Sequence, residues 1–331
     1  MKKIFLMIFI TGFIIMLTGC QKYDKDSLKS DLNKEVKSFK GYHMLGNMEI
    51  YNGDNTYKYS VEVSRNKDKY KVVLINKNNN HEQIILKNDD GVYVLTPSLK
   101  KSFKFQSNWP ENSSQIYLYE SLVEDINSDK DMKLTTKDNT YIVETKLGYS
   151  NNKNLVKEKI YLNKKLNIEK VEVFDEDNRK QMKITYDEFD KRATFNDKYL
   201  DVKENIEVET DETKETMNEI DDPIYPMYLP SGTYLSSEEN VALENVERVI
   251  LTFQGESPFI LVQETVAIED DIVDIPVSGE PNFITDTVGA LSSNSINFIS
   301  NGIEYYLSSD SLTTEEMMQV AESISPVAVM K

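Results

Sequence analysis

The stretch Tyr57-Lys58-Tyr59-Ser60-Val61-Glu62-Val63 alternates apolar or aromatic with polar side chains. A period of two is the mark of a β-strand with one buried and one solvated face. The same chemistry recurs downstream at Tyr70, Val72 and Leu74, then at Ile84-Ile85-Leu86, then at Val92-Tyr93-Val94-Leu95. Between the runs lie Asn52-Gly53-Asp54-Asn55, Asn66-Lys67-Asp68, Asn78-Asn79-Asn80 and Asp89-Asp90-Gly91, all turn formers. Spacers this short make hairpins, so the strands are expected to be antiparallel and sequential, with one face covered and one solvated.

Working outward, Leu28, Leu32, Val36 and Phe39 form one apolar stripe at helical spacing, and Gly41 stands where a helix C-cap glycine belongs. On the other side, Pro97 ends the strand and Phe103–Phe105 makes a further one. The single tryptophan then appears in Trp109-Pro110, and Ile116, Tyr119, Leu122, Val123 and Ile126 fall at helical spacing. A second strand series is expected over 131–136, 139–149, 154–162, 166–174 and 179–189. With 42–52, 56–65, 69–76, 80–87, 91–96 and 101–106, that gives 11 strands around two helices.

Asp90-Gly91-Val92-Tyr93-Val94-Leu95-Thr96-Pro97 resembles a hairpin of the LolA/LolB/RseB lipoprotein-carrier superfamily. The strand-turn-strand-turn-strand run Leu155–Tyr186 is similar to that superfamily's closing meander, and the element order over roughly residues 25–200 matches. The resemblance implies a fold: α+β, mostly antiparallel β, an 11-stranded open half-barrel lined with apolar side chains and plugged by helices. It implies no catalytic residue. One feature departs from LolA itself, which is soluble and unlipidated, and favours a tethered role over a shuttling one.

That feature is Leu17-Thr18-Gly19-Cys20. Lys2 and Lys3, then an apolar run from Ile4 to Leu17, then small residues before a cut site make a secretory signal. Cys20 is the sole cysteine and stands at the cut, as in a bacterial lipobox, where the thiol is diacylated. Two acyl chains satisfy the requirement for stable anchoring. With no cysteine left to pair, the mature chain relies on its cores outside the cytoplasm. Heavy use of Lys, Asn and Ile fits a low-GC Gram-positive source.

A chain this long is expected to form about two domains. Charge divides it likewise. Residues 21–205 carry 33 Lys and Arg against 31 Asp and Glu, whereas residues 206–331 carry 3 against 25. A net charge of −18 argues against nucleic acid as a partner. The expected organisation is a signal peptide over 1–19, a tether over 20–27, the half-barrel over 28–202, an acidic linker over 203–222 and an acidic α/β domain over 223–331. In the last unit, strands are expected at Ile224–Pro230, Val246–Phe253, Phe259–Ile268, 282–291, 294–300 and 302–308. Asn301-Gly302 is a hairpin signal, and Thr313 with Glu316 is a capping box opening a helix with Met317, Val320, Ala321 and Ile324 on one face. This order is similar to the small domain that follows the barrel in RseB-type sensors.

Little in the chain could carry chemistry. His43 and His81 have no cluster of metal ligands around them, and no nucleophile elbow, Walker loop or dinucleotide turn is present. No enzyme activity, metal or cofactor is expected. The acidic residues of 206–331 read as a solvated face. Two readings of the first sheet stay open: Tyr57, Tyr59, Val61, Val63, Tyr70 and Val72 pack under the helices as core, or they line a concave groove for an acyl chain, with Trp109 near its mouth. The expected function is a non-enzymatic binding module, lipid-anchored at Cys20 on the outer face of the cell membrane. It engages an envelope protein, with sporulation or germination the context that the resemblance implies. The alternative is a binder or carrier of lipid or another hydrophobic ligand.

Overall fold

A computed structural model describes residues 23–53, 55–110, 115–147, 154–207, 220, 222–242, 246–266 and 272–324. Two sheets organise them. The first has twelve strands in the order β15-β6-β5-β4-β3-β2-β1-β11-β10-β9-β8-β7. Strands β1 (Gly41–Asn52), β2 (Asn55–Asn66), β3 (Lys69–Asn76), β4 (Glu82–Asn88), β5 (Gly91–Thr96) and β6 (Lys101–Phe105) form one continuous meander. Strands β7 (Lys133–Lys137), β8 (Thr140–Lys146), β9 (Leu155–Leu162), β10 (Ile168–Asp175) and β11 (Lys180–Asp190) form another. The pairing of β1 with β11 joins the two, while β6 and β7 do not pair, so the sheet stays open. The expected half-barrel of 11 strands is present, with one strand added from far down the chain.

Two helices fill its concave face. Helix α1 (Lys25–Ser38) opens at Asp24, whose side chain accepts from the Ser27 N–H at 2.8 Å. Its Leu28 and Leu32 are fully buried, worth roughly 1.5–3 kcal/mol each. It ends at Phe39 in an extended conformation and not at a glycine cap. Gly41 instead begins β1, where a β-carbon would lie 2.7 Å from the Ala193 carbonyl oxygen. Helix α2 (Tyr119–Ser128) is tied to the sheet by Glu120, which meets Arg65 Nη1 at 3.0 Å and accepts from the Tyr42 hydroxyl at 2.8 Å.

The second face of the sheet is not wholly solvated. Val73, Ile84, Leu86, Tyr93 and Leu95 point away from the helices and are buried under Leu200 and Ile206. The cover is a returning segment that ends in helix α3 (Val202–Ile206), so the start of the expected acidic linker is packed. The unbroken apolar runs at 84–86 and 92–95 carry this information, because strands buried on both faces lose their alternation.

The second sheet has seven strands in the order β12-β13-β14-β19-β18-β17-β16. They are β12 (Thr233–Ala242), β13 (Glu247–Gly255), β14 (Phe259–Thr265), β16 (Glu280–Ile284), β17 (Thr287–Leu291), β18 (Ser295–Ser300) and β19 (Ile303–Ser308). Helix α4 (Thr314–Glu322) covers one face, with the capping box at Thr313 and Glu316 formed and Met317, Val320, Ala321 and Ile324 buried. Three expectations differ. Residues 224–230 are not a strand, since Ile224 bonds its backbone to the side chain of Gln263; the strand begins after Gly232. The run 282–291 breaks at Thr285, whose positive φ of 53° turns the chain. Strand β15 (Val273–Val277) leaves this unit and pairs in parallel with β6, the one parallel pair among the described strands. Pro276 argues against a strand in sequence but is tolerated at a sheet edge.

Candidate functional site

Where the two sheets meet, the chain leaves a cavity of about 420 Å³. Its walls come from both units. Ile50 and Asn52 stand at the end of β1, Met182 and Gln181 on β11, and Gln115-Ile116-Tyr117 on the approach to α2. Phe283 on β16, Val288 on β17 and Glu322 at the end of α4 close it from the other side. The turn after β10 adds Asp175, Glu176 and Asp177 at the rim. The floor is therefore apolar and the rim carries carboxylates.

The polar groups are positioned by the fold. Tyr117 donates to Gln115 Oε1 at 2.5 Å, and the Tyr186 hydroxyl donates to the Tyr117 carbonyl at 3.1 Å. Gln181 Nε2 donates to Asp175 Oδ2 at 2.6 Å, which holds that carboxylate at the turn. Glu322 has no comparable hydrogen bond; burial alone raises its pKa to about 7. It lies four residues after the buried Met318, on the same helical face. An acidic residue on a buried stripe was a signal open to sequence reading.

The sequence-derived site residues lie mostly beside this cavity and not in it. Tyr59, Val61, Val63, Tyr70, Val72 and Trp109 are all buried within the first core, and Tyr57 is half-buried against it. Trp109 is 0% exposed and meets Tyr70 edge-on at 6.0 Å between ring centroids, so it is packed into the core. Tyr59 reaches the cavity wall through Phe283, at 6.3 Å between rings. Cys20 lies outside the described residues. The cavity-lining positions were missed because no local pattern links residue 50 to residue 322.

Among the described residues, no group of three or more His, Cys, Asp and Glu side chains is placed to hold a metal ion. His43 Nε2 lies 3.2 Å from Glu62 on the neighbouring strand. No helix among the described residues is long and apolar enough to cross a membrane. The arrangement can enclose an apolar body and present carboxylates to a cationic or hydrogen-donating head.

Comparison with known proteins gives the chain its relatives. It is 35% identical over 329 residues to sporulation protein YdcC of Bacillus subtilis (strain 168), covering 98% of this chain and 97% of that protein. Among solved structures, it is similar to the MucA/MucB complex structure of Pseudomonas aeruginosa, with 11% identity and a TM-score of 0.33 over 90% of this chain and 98% of that one. It is also similar to a chain in the structure of the CwlD amidase from Clostridioides difficile in complex with the GerS lipoprotein. There the identity is 18% and the TM-score 0.23, over 52% of this chain and 98% of that one. Residues 1–200 match the family described as sporulation protein YdcC-like, and with the full-length identity above, the chain belongs to that family.

Proposed function

We propose that this protein is a lipid-anchored, extracytoplasmic binding module that serves sporulation by holding an envelope protein, without catalysing a reaction. The observation that carries this reading is the cavity shared by the two units, with its apolar floor and acidic rim. A basic, partly apolar side chain of a partner fits that chemistry. Family membership supports the sporulation setting. The lipobox-like Leu17-Thr18-Gly19-Cys20 supports the anchor.

The alternative, an acyl-chain binder, draws support from the floor residues Ile50, Ile116, Met182 and Phe283. Two facts weigh against it. The concave face of the half-barrel is filled by side chains of 0–9% exposure, leaving only its end open. The rim carboxylates Asp175, Glu176 and Asp177 would repel a carboxylate or phosphate headgroup. The test is a photo-crosslinking residue in place of Phe283, used in sporulating cells, with the adducts identified by mass spectrometry. A protein adduct is expected. Adducts to lipid alone would favour the alternative, and a protein adduct that forms from an exposed position away from the cavity, such as Lys137, but not from 283 would exclude the cavity.

A further inference from the structure

Each open sheet ends in two edge strands, and four edges are therefore exposed to unwanted pairing. Three of them are five residues long and blunted: β15 carries Pro276, β16 carries Pro281, and β7 carries Lys133 and Lys137. Strand β12 is different. It runs for ten residues, eight of them exposed, with neither proline nor lysine. Its one interruption is a register shift between Leu235 and Ser237, near its start. Only β13 pairs with it among the described strands, so one row of its backbone N–H and C=O groups faces no described strand.

The side chains around this edge are unusual too. Seven of the nine large apolar side chains that stand exposed among the described residues lie between positions 225 and 241. Tyr234, Leu235 and Val241 are on the strand itself, and Met227, 79% exposed, is on the segment leading to it. Clustering of this kind marks a contact surface, whereas exposed apolar residues scattered singly need no explanation. Glu238 and Glu239 sit mid-strand, both exposed. In residues 223–331 the only cations are Arg248 and Lys331, and Arg248 is engaged by Glu264.

We infer that the edge of β12 receives an extended, lysine- or arginine-bearing segment of a partner protein, which adds to the sheet as an eighth strand. The backbone ladder supplies the affinity, Tyr234, Leu235 and Val241 pack the incoming apolar side chains, and Glu238 and Glu239 select the basic ones. The charge chooses among occupants. A second copy pairing antiparallel about the centre of the strand would bring two sets of Glu238 and Glu239 together, which is repulsive. An anionic lipid surface is repelled for the same reason. This surface is separate from the cavity and stands whatever fills that.

The experiment is hydrogen exchange on the full chain with a short synthetic peptide alternating lysine with valine and threonine. Two control peptides are used, one with glutamate for lysine and one with alternate backbone nitrogens methylated. The expected result is slowing of about tenfold or more at the alternate amides of 233–242 that face away from β13, with the lysine peptide only. The slowing should weaken with salt and disappear in the E238K/E239K double variant. The proposal is overturned if the methylated peptide binds as well, since the ladder is then not used. It is equally overturned if those amides are already protected without peptide and lose protection when residues 325–331 are removed, which would make the chain's own tail the occupant. Protection that grows with protein concentration alone would assign the edge to a second copy.

Discussion

Gln83 and Val288, 205 positions apart, grip each other through both ends of one amide: Val288 N–H donates to Gln83 Oε1 at 2.7 Å, and Gln83 Nε2 donates to the Val288 carbonyl at 3.0 Å. The Thr287 hydroxyl donates to the same Oε1 at 3.1 Å. Gln83 is buried on the inner face of β4, and Val288 belongs to the second sheet, so this one side chain fastens the second unit to the half-barrel.

Replacing Gln83 with Leu keeps the volume but leaves the two Val288 groups buried and unpaired across that junction. At about 1–3 kcal/mol for each group, a loss of roughly 2–6 kcal/mol is expected. Denaturant unfolding of the variant, followed by Trp109 fluorescence and by far-ultraviolet circular dichroism, checks it. The two probes should separate, because Trp109 reports only the first unit. Unchanged, coincident transitions would mean that the clamp holds nothing.

Glu158 is a buried carboxyl on β9 for which neither oxygen finds a hydrogen-bond partner among the described residues. Burial, and secondly the Asp125 charge, pushes its pKa well above the ordinary range. The folded state thus binds this proton more tightly than the unfolded one. The stability from the neutral form is full below the ordinary glutamate value of about 4.3 and is lost as pH rises through the raised value, at up to about 1.4 kcal/mol per pH unit. Melting temperatures across a pH series should fall toward alkaline pH in the wild type and stay flatter in Glu158→Gln.

Glu322 gives the cavity its own pH dependence. With a pKa raised by burial to about 7, its carboxyl is neutral below that value and charged above it. Binding of n-hexylamine should tighten as pH rises through this point, and binding of hexanoate should weaken. Calorimetric titration on either side of neutrality is the check. Glu322→Gln should remove both trends, and a trend that survives the substitution would rule Glu322 out as its source.

Cys20 is expected to carry the lipid. Cys20→Ala should abolish incorporation of a fatty-acid probe and shift the protein from the membrane fraction to the medium or to an uncleaved form. Labelling equal to wild type would rule the anchor out.

Local signals in the chain were sufficient for most strands of the first sheet, for its hairpins and for the start of the last helix, because these depend on neighbours; they failed at Gly41, at 224–230 and at Thr285. The alternation from Tyr57 to Val63 set a sheet face, Asn301-Gly302 set a hairpin with positive φ at both residues, and Thr313 with Glu316 set a helix start. What tertiary structure alone decided involves residues whose chemistry contradicts their local pattern until the partner is known. Gln83 is a polar residue among apolar ones until Val288 arrives, and Pro276 reads as a breaker until β15 finds an edge to lie on. Leu200 and Ile206 follow a charged stretch, yet return to bury Val73 and Leu86. The cavity is the extreme case. Its walls run from Ile50 to Glu322, and a pocket is a property of the space between elements that no stretch of sequence contains.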